Sequence, residues 1–453
     1  MRITRSMSNY RFIILLVLLH ALFFAMALYF KRIYNGDSHE YIYMALNVKE
    51  HFWFYAGNPA LPVTEEYMTI RAPGYPLFLL LVYLFSVNNW TVLVLQNIIS
   101  MINIYYLRNT IRRIGYTRKY DFLLIALIAL FPSQFINANT IAPDILLQTC
   151  VLVYFRHFVL MVRYKKWEHA GWMTWGLVAG LFVKPVLYPF VFCHLAIMLY
   201  MYRYLRGSRL IPTINGILPI ACISLYMLWN YQRTDKLHFT SNQSFNAIYY
   251  YYFYYNDTYG REKADQFLKQ ERDKIEAMPK FADRYDYANQ RGLQLLKENF
   301  APYMSYHIRQ GLRMFIDPGK GELDMFTGSL TLGKLYDSKA QDGFWVTIKK
   351  DGWDGLEAYA ERNPSFPIAM VILAFNIIRL VGLMLFAFAS KINKRIRMFT
   401  FLFLTYFAFT TGAIAHTRYL VPVSLIVIGC SVMGYQLSLQ RLKNKAIIAK
   451  YKR

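Results

Sequence analysis

Charged residues are scarce in this chain, and acidic ones most of all. Only 17% of its 453 residues are Asp, Glu, Lys or Arg, whereas 56% are hydrophobic, and this composition excludes an ordinary soluble globular protein. Cysteine is also rare, and the four thiols lie inside apolar stretches with neither a disulfide framework nor a zinc-ligand spacing. The sequence therefore predicts a membrane protein with no recognisable metal site.

The excess of basic over acidic residues, +24 in formal charge, is concentrated in short connectors. Six stretches hold 24 Lys and Arg and no Asp or Glu, namely 1–11, 108–119, 163–166, 203–209, 391–397 and 441–453. The longest polar stretch, 231–365, is neutral, with 19 basic and 19 acidic side chains. Basic connectors between apolar runs follow the positive-inside pattern of membrane proteins. A nucleic-acid partner, which net charge alone would suggest, is therefore not expected.

The apolar runs thread through a membrane when all six basic connectors lie on its cytoplasmic side. Spans are predicted near 12–30, 91–107, 121–133, 144–161, 171–186, 188–202, 212–229, 366–390, 398–413 and 418–438. Residues 75–87 are predicted to be a short helix embedded from the outer face, because one more span would place the connector 108–119 outside. Lys184-Pro185 and Pro189 should break the run 171–202, since proline removes a backbone donor.

We therefore predict an all-α polytopic protein of the inner (cytoplasmic) membrane, with about ten transmembrane helices, further juxtamembrane helices and three segments. Residues 1–230 form an N-terminal transmembrane module with a first extracytoplasmic loop at 31–74. Residues 231–365 form a large extracytoplasmic insert, and 366–453 form the last transmembrane helices and a basic cytoplasmic tail. The insert has too few periodic apolar residues for another bundle, apart from an amphipathic interfacial helix at 299–315. Its aromatic run 249–255 fits an interfacial belt or a stacking surface for a sugar or lipid.

Charged residues outside both the connectors and the insert are the candidates for chemistry, because an ionisable group at membrane depth costs roughly 2.5–3.5 kcal/mol. Those predicted on the extracytoplasmic side come from distant parts of the chain, which indicates a single site. They are Asp37 and Glu40 at the start of the first loop, Arg71 at its end, Asp144 at a span start, Lys184 at the broken run, and Arg418, between His416 and Tyr419, before the last span.

Three of these residues also have a simpler structural explanation. Asp37 fits an ordinary helix N-cap, and Asp144 fits a carboxylate stabilised by a helix dipole. Arg71 would serve equally as an interfacial anchor. The shared membrane face of all of them favours a site over three unrelated structural roles.

The order of these residues resembles the polyprenyl-phosphate-dependent glycosyltransferases with the type C fold, close to family 39, which includes the protein O-mannosyltransferases and the lipid A aminoarabinose transferases. The resemblance extends over most of the chain. Many members carry Asp-Glu where this chain has Asp37-Ser38, so Glu40 or Asp144 would have to supply a second carboxylate. The residues that carry it are Gly36-Asp37-Ser38, Arg71-Ala72-Pro73-Gly74-Tyr75-Pro76-Leu77, which is the most specific, Pro143-Asp144, Lys184-Pro185, and Arg418-Tyr419 with Pro422.

The resemblance implies an enzyme that moves a hexose or pentose, with inversion, from a polyprenyl-phosphate sugar to a glycan, lipid or protein acceptor outside the cytoplasm. The lipid-linked sugar is a co-substrate, membrane lipids surround the protein, and no cofactor is expected, although a divalent metal is left open. The implied catalytic residues are Asp37, as general base, and Asp144. Donor phosphate would bind to Arg71, Lys184 and Arg418, and the acceptor or sugar would contact Glu40, Tyr75, His416 and Tyr419.

Other functions fit the same pattern. A polysaccharide polymerase or ligase also has many spans and a large outside loop, but it acts on lipid-diphosphate oligosaccharides. A lipid transporter or flippase would keep ionisable groups in the inner half of the membrane, and Arg156 and Arg379 are the residues that favour it. The transferase is preferred because most ionisable candidates lie on the outer side.

Overall fold

The computed structural model describes residues 8–205, 209–329, 352–357, 359–361, 363–414 and 416–451. Within these ranges the chain is helical and has no β-strand. Seven helices are long and apolar enough to cross a membrane, or eight if one bent pair counts as a single span. The prediction of an all-α polytopic membrane protein is confirmed at this level, and the number of ten spans stays a prediction.

Helices up to residue 234 follow the predicted runs. They are α1 Asn9–Phe30, α2 Ser38–His51, α3 Gly74–Tyr83, α4 Asn89–Arg112, α5 Asp121–Ala129, α6 Pro132–Ala138, α7 Asp144–Tyr164, α8 Glu168–Val183, α9 Phe190–Leu205 and α10 Leu210–Thr234. The insert contributes α11 Asn242–Tyr259, α12 Arg261–Glu276, α13 Phe281–Glu298, α14 Phe300–Arg313 and α15 Lys320–Thr327. The chain closes with α16 Phe366–Ala387, α17 Lys394–Thr411 and α18 Thr417–Tyr451.

Three short helices, α3, α8 and α9, explain how the chain enters and leaves the apolar layer near the predicted site. Helix α3 has 10 residues and is about 15 Å long, half of what a hydrocarbon core of roughly 30 Å requires. The predicted break of the run 171–202 is confirmed: α8 ends at Val183, Lys184 is extended before proline, and α9 begins at Phe190. At 16 residues each, α8 and α9 are about 24 Å long.

A second break separates α5 from α6, which meet at an angle of 67°. Pro132 stands at the start of α6 and cannot donate to the preceding turn, so carbonyl groups at the end of α5 lose their helical partners. Arg379 of α16 donates to the Leu127 carbonyl, at 3.3 Å, and to the Leu130 carbonyl. This buried cation therefore stabilises a helix end.

Helix α18 is the centre of the bundle, since 89% of its most apolar stretch is buried, against 22% for α1.

At the basic end of the bundle, Arg108 and Asp121 form a fully buried ion pair. Tyr116 donates to the same carboxylate at 2.9 Å, and the guanidinium lies 4.3 Å from the centre of the Phe12 ring. One cation of the connector 108–119 is thus part of the core.

In the described part of the insert, helices α11 to α14 pack around a shared core, so the expectation that the insert has too few apolar residues for a bundle was wrong there. Its core joins Ile248, Tyr251 and Tyr254 of α11 to Leu295 of α13 and Tyr303 of α14. Tyrosine supplies most of these positions, and its ring buries apolar area although its hydroxyl makes it appear polar in a hydropathy pattern. The helix predicted at 299–315 is present as α14.

Candidate functional site

A continuous chain of ion pairs lies where α1 and α8 end and where α2, α7 and α18 begin. It joins carboxylates and cations alternately, in the order Glu40, Arg71, Asp37, Arg418, Asp144 and Lys184. All six were predicted site residues, and more than 300 positions of the sequence separate Asp37 from Arg418. The structure therefore brings the predicted carboxylates and cations into one cluster, which we call the ion-pair chain.

The first loop holds Asp37 in place through a tight turn. The side chain of Asn35 accepts from the Asp37 backbone N–H at 3.0 Å, and the Asn35 backbone N–H donates to the Ser38 hydroxyl at 2.8 Å. The Ser38 hydroxyl in turn donates to the carbonyl of Ile141 at 2.7 Å, just before α7. Ser38 thus ties the loop to the segment that carries Asp144.

Asp37 occupies the N-cap position of α2, but its carboxylate makes no capping hydrogen bond. Instead it accepts from Nη2 of Arg71 at 2.7 Å, and its second oxygen lies 3.7 Å from Nη2 of Arg418. Its side chain is 37% exposed, more than any other member of the ion-pair chain. Asp37 is therefore the carboxylate that an incoming molecule reaches most easily.

The segment from Arg71 to Gly74 presses against the end of α8. A Cβ on Gly74 would lie 2.6 Å from the carbonyl of Phe182, closer than real Cβ atoms approach, so only glycine fits here. Arg71 binds Asp37 and Glu40, and its guanidinium lies 5.3 Å from the centre of the Tyr41 ring. Burial raises the pKa of Glu40, and the Arg71 cation opposes that rise.

Asp144 differs from Asp37 because its side chain is fully buried. One oxygen accepts from Nζ of Lys184 at 2.7 Å and the other from Nε of Arg418 at 3.1 Å. The Lys184 ammonium also lies 5.1 Å from the centre of the Tyr419 ring. Asp144 therefore holds two cations that are themselves only about one-sixth exposed, at 16% and 17%.

The other predicted contacts divide into two groups. His416 and Tyr419 pack edge to face, with ring centres 4.8 Å apart, beside Arg418. The predicted contact of Tyr75 with an acceptor or sugar needs correction. The Tyr75 ring is fully buried against Tyr41, and its hydroxyl donates to the Gln96 side chain at 2.6 Å. Tyr75 packs the protein interior and is not placed to contact an acceptor or sugar.

Sequence reasoning missed Glu322, which α15 brings to the same region. Its carboxylate accepts from the Ser133 hydroxyl and, at 3.5 Å, from the Asn137 amide of α6. Burial raises the pKa of Glu322 to about 7, and the nearby charge of Arg418 opposes that rise. Glu322 lies in a charge-rich stretch of the insert, and the turn Asp317-Pro318-Gly319 ahead of it is the signal that the sequence offers.

In the described part of the chain, no three His, Cys, Asp or Glu side chains are grouped as a metal site. The expectation of no cofactor, with a divalent metal left open, stays a prediction. When the sequence is compared with known proteins, it matches no family model and no curated protein.

Proposed function

We propose that this protein is an integral-membrane glycosyltransferase of the type C kind, which moves a sugar from a polyprenyl phosphate to an acceptor. The observation that carries the proposal is the ion-pair chain, in which one accessible carboxylate pairs with two cations, and a third cation shares a buried carboxylate with one of them. A phosphate leaving group requires cations, and an acceptor hydroxyl requires a base. The cluster offers both within one site.

In the proposed step, an Asp37 carboxylate oxygen accepts the proton of the acceptor hydroxyl or amine. The acceptor atom bonds to the anomeric carbon while the bond from that carbon to the phosphate oxygen breaks. The electron pair of the broken bond stays on the polyprenyl phosphate, and the anomeric centre is inverted. A base placed in this way contributes about 10²- to 10⁴-fold in rate.

The cations keep donors available for a phosphate while they hold their carboxylates. Arginine has five N–H donors and lysine three, whereas Asp144 accepts one hydrogen bond from Arg418 and one from Lys184. The contact of Arg418 with Asp37 is longer, at 3.7 Å. We therefore assign the phosphate to Lys184 and Arg418, with Arg71 at the side of Asp37.

Asp144 has a positioning role in this scheme. Its side chain is fully buried and both of its oxygens are engaged by cations, so an acceptor has no access to it. Removing it would free two cations from their fixed places next to the donor phosphate. The two aspartates of the ion-pair chain therefore have separate tasks.

The proposed site faces the extracytoplasmic side of the inner membrane. Residues of the basic connectors lie at the opposite helix ends, such as Arg112 at the end of α4 and Arg163 at the end of α7, and basic connectors face the cytoplasm. The extracytoplasmic side lacks nucleotide sugars, and this supports a lipid-linked donor. On the same side, α3 offers exposed Leu77 and Leu81 as a surface for the lipid chain.

Two residues that favoured a flippase have structural partners. Arg379 binds the carbonyl groups at the break between α5 and α6. Arg156 lies 4.6 Å from the centre of the Tyr106 ring and donates to the Thr110 hydroxyl at 3.5 Å. Neither is needed to line a path for ions or lipid, so the transferase is the function we propose.

The test is transfer from radiolabelled polyprenyl-phosphate hexoses and pentoses to endogenous acceptors in membranes that contain the protein. Asp37→Asn should lower transfer by at least about 100-fold at unchanged membrane abundance, because it removes the proton acceptor. Asp235→Asn, at the end of α10 and not a member of the ion-pair chain, is the matched control and should keep full transfer. Retained transfer in Asp37→Asn would remove Asp37 from its role.

A further inference from the structure

A cavity of about 420 Å³ lies beside the ion-pair chain, between α11, α14 and the start of α18. Its size falls within the range of small-molecule sites, roughly 300–1,000 Å³. Tyr419 forms part of its wall and also lies next to the Lys184 ammonium. The segment 416–419 therefore contributes residues both to the wall of the cavity and to the ion-pair chain.

The aromatic run at the start of the insert supplies one wall of this cavity. On α11, Tyr251 and Tyr254 point into the core of the insert bundle. Tyr249 and Phe253, four residues apart and hence on one face of the helix, line the cavity. The run is thus divided between packing and an aromatic surface that faces the cavity.

Polar groups surround these rings. Asn256 of α11 and Gln310 of α14 line the cavity with amides. The carboxylate of Asp317 also lines it, and the backbone N–H groups of Thr417 and Gly319 donate to that carboxylate at 3.0 and 3.1 Å. Aromatic faces with fixed amides and carboxylates suit a ligand that has an apolar face and many hydroxyl groups.

We propose that this cavity binds a carbohydrate ring, stacked on Tyr249 or Phe253 and hydrogen-bonded by Asn256, Gln310 and Asp317. A purely apolar lipid chain would cover these polar groups without offering them a hydrogen bond, at a cost in binding free energy. The inference deepens the transferase proposal, and it rests on that proposal for the claim that the bound sugar belongs to a transfer reaction. Either the donor's sugar or a sugar of the acceptor would meet this chemistry.

The test is saturation-transfer NMR on the full-length protein in lipid nanodiscs. The probes are the methyl glycosides of glucose, galactose, mannose and N-acetylglucosamine, with cyclohexanemethanol as a ring that lacks the hydroxyl groups. At least one glycoside should bind, and at least one of Tyr249→Ala and Phe253→Ala should weaken its affinity about tenfold, the scale of one lost aromatic contact. Tyr259→Ala, on the same helix but not lining the cavity, should bind like the wild type.

A cavity-filling variant protects the test against misfolding of the alanine variants. Asn256→Trp keeps both rings and should abolish glycoside binding at an unchanged unfolding temperature. The proposal is overturned if no glycoside binds, if cyclohexanemethanol binds equally well, or if all three cavity variants bind like the wild type.

A further arm separates the two sources of the sugar and separates this inference from the proposed function. Displacement of the glycoside by excess polyprenyl-phosphate mannose assigns the cavity to the donor's sugar, and simultaneous binding assigns it to the acceptor. Lys184→Gln should keep glycoside binding while it loses the lipid-linked donor. Glycoside binding in a protein that transfers no sugar would refute the transferase and leave the carbohydrate site standing.

Discussion

Replacement of either aspartate of the ion-pair chain by asparagine is isosteric, but the two replacements are expected to differ in their effect on stability. Asp144 is fully buried between Lys184 at 2.7 Å and Arg418 at 3.1 Å, so Asp144→Asn leaves two cations without their counter-charge. Removing one partner of a buried ion pair costs about 3–5 kcal/mol. Asp37 is 37% exposed, and the pair of a solvent-exposed carboxylate contributes about 0–1 kcal/mol.

The assay is the free energy of unfolding, measured by SDS titration in mixed micelles. Asp144→Asn should lose about 3–5 kcal/mol, and Asp37→Asn should stay within about 1 kcal/mol of the wild type while it loses transfer. Adding Lys184→Gln to Asp144→Asn removes one uncompensated cation and should recover part of the loss. Equal stabilities of the two single variants, or no recovery in the double variant, would refute the assignment of Asp144 as the buried counter-charge.

Three further predictions concern the surroundings of the site. Gly74→Ala should lower stability by about 1–3 kcal/mol and reduce transfer, because its Cβ meets the end of α8, whereas Gly36→Ala, with open space around it, should do neither. Burial raises the pKa of Glu322 from 4.5 to about 7, so the stability that its protonated form contributes falls as the pH rises from about 4.5 through 7. The unfolding temperature of Glu322→Gln should therefore change less than that of the wild type between pH 5 and 8, and an equal change would contradict the burial of this group. Asp121→Asn should destabilise by about 3–5 kcal/mol, because it strands the buried Arg108, without altering binding of the lipid donor, and altered donor binding would contradict a purely structural role.

Much of the site was predictable because membrane insertion makes ionisable residues expensive outside connectors. Asp37, Arg71 and Arg418 stood out as charges that no connector explained, and the structure places them in contact. Proline gave the element boundaries near them, as at Lys184-Pro185, where α8 ends. Charge and proline patterns in the sequence were sufficient to predict a site residue wherever its side chain lies at a helix end.

What escaped prediction depends on contacts between distant segments. Glu322 lies in a neutral, charge-rich stretch, and only the folded chain brings it to Ser133. The core of the insert escaped because tyrosines such as Tyr251 and Tyr303 supply it, and hydropathy periodicity does not distinguish a buried tyrosine ring from an exposed one. The burial of Tyr75 was also hidden, since a motif names residue types and not their surroundings.

The central claim is that the cations of the ion-pair chain hold a polyprenyl phosphate, and native mass spectrometry of the purified protein with its bound lipid tests it most directly. The wild type and Asp37→Asn should both retain a polyprenyl phosphate, with or without its sugar. Arg418→Gln should lose this lipid, because it removes the guanidinium that lies between Asp37 and Asp144. The same lipids on all three proteins, with no isoprenoid phosphate among them, would contradict the account.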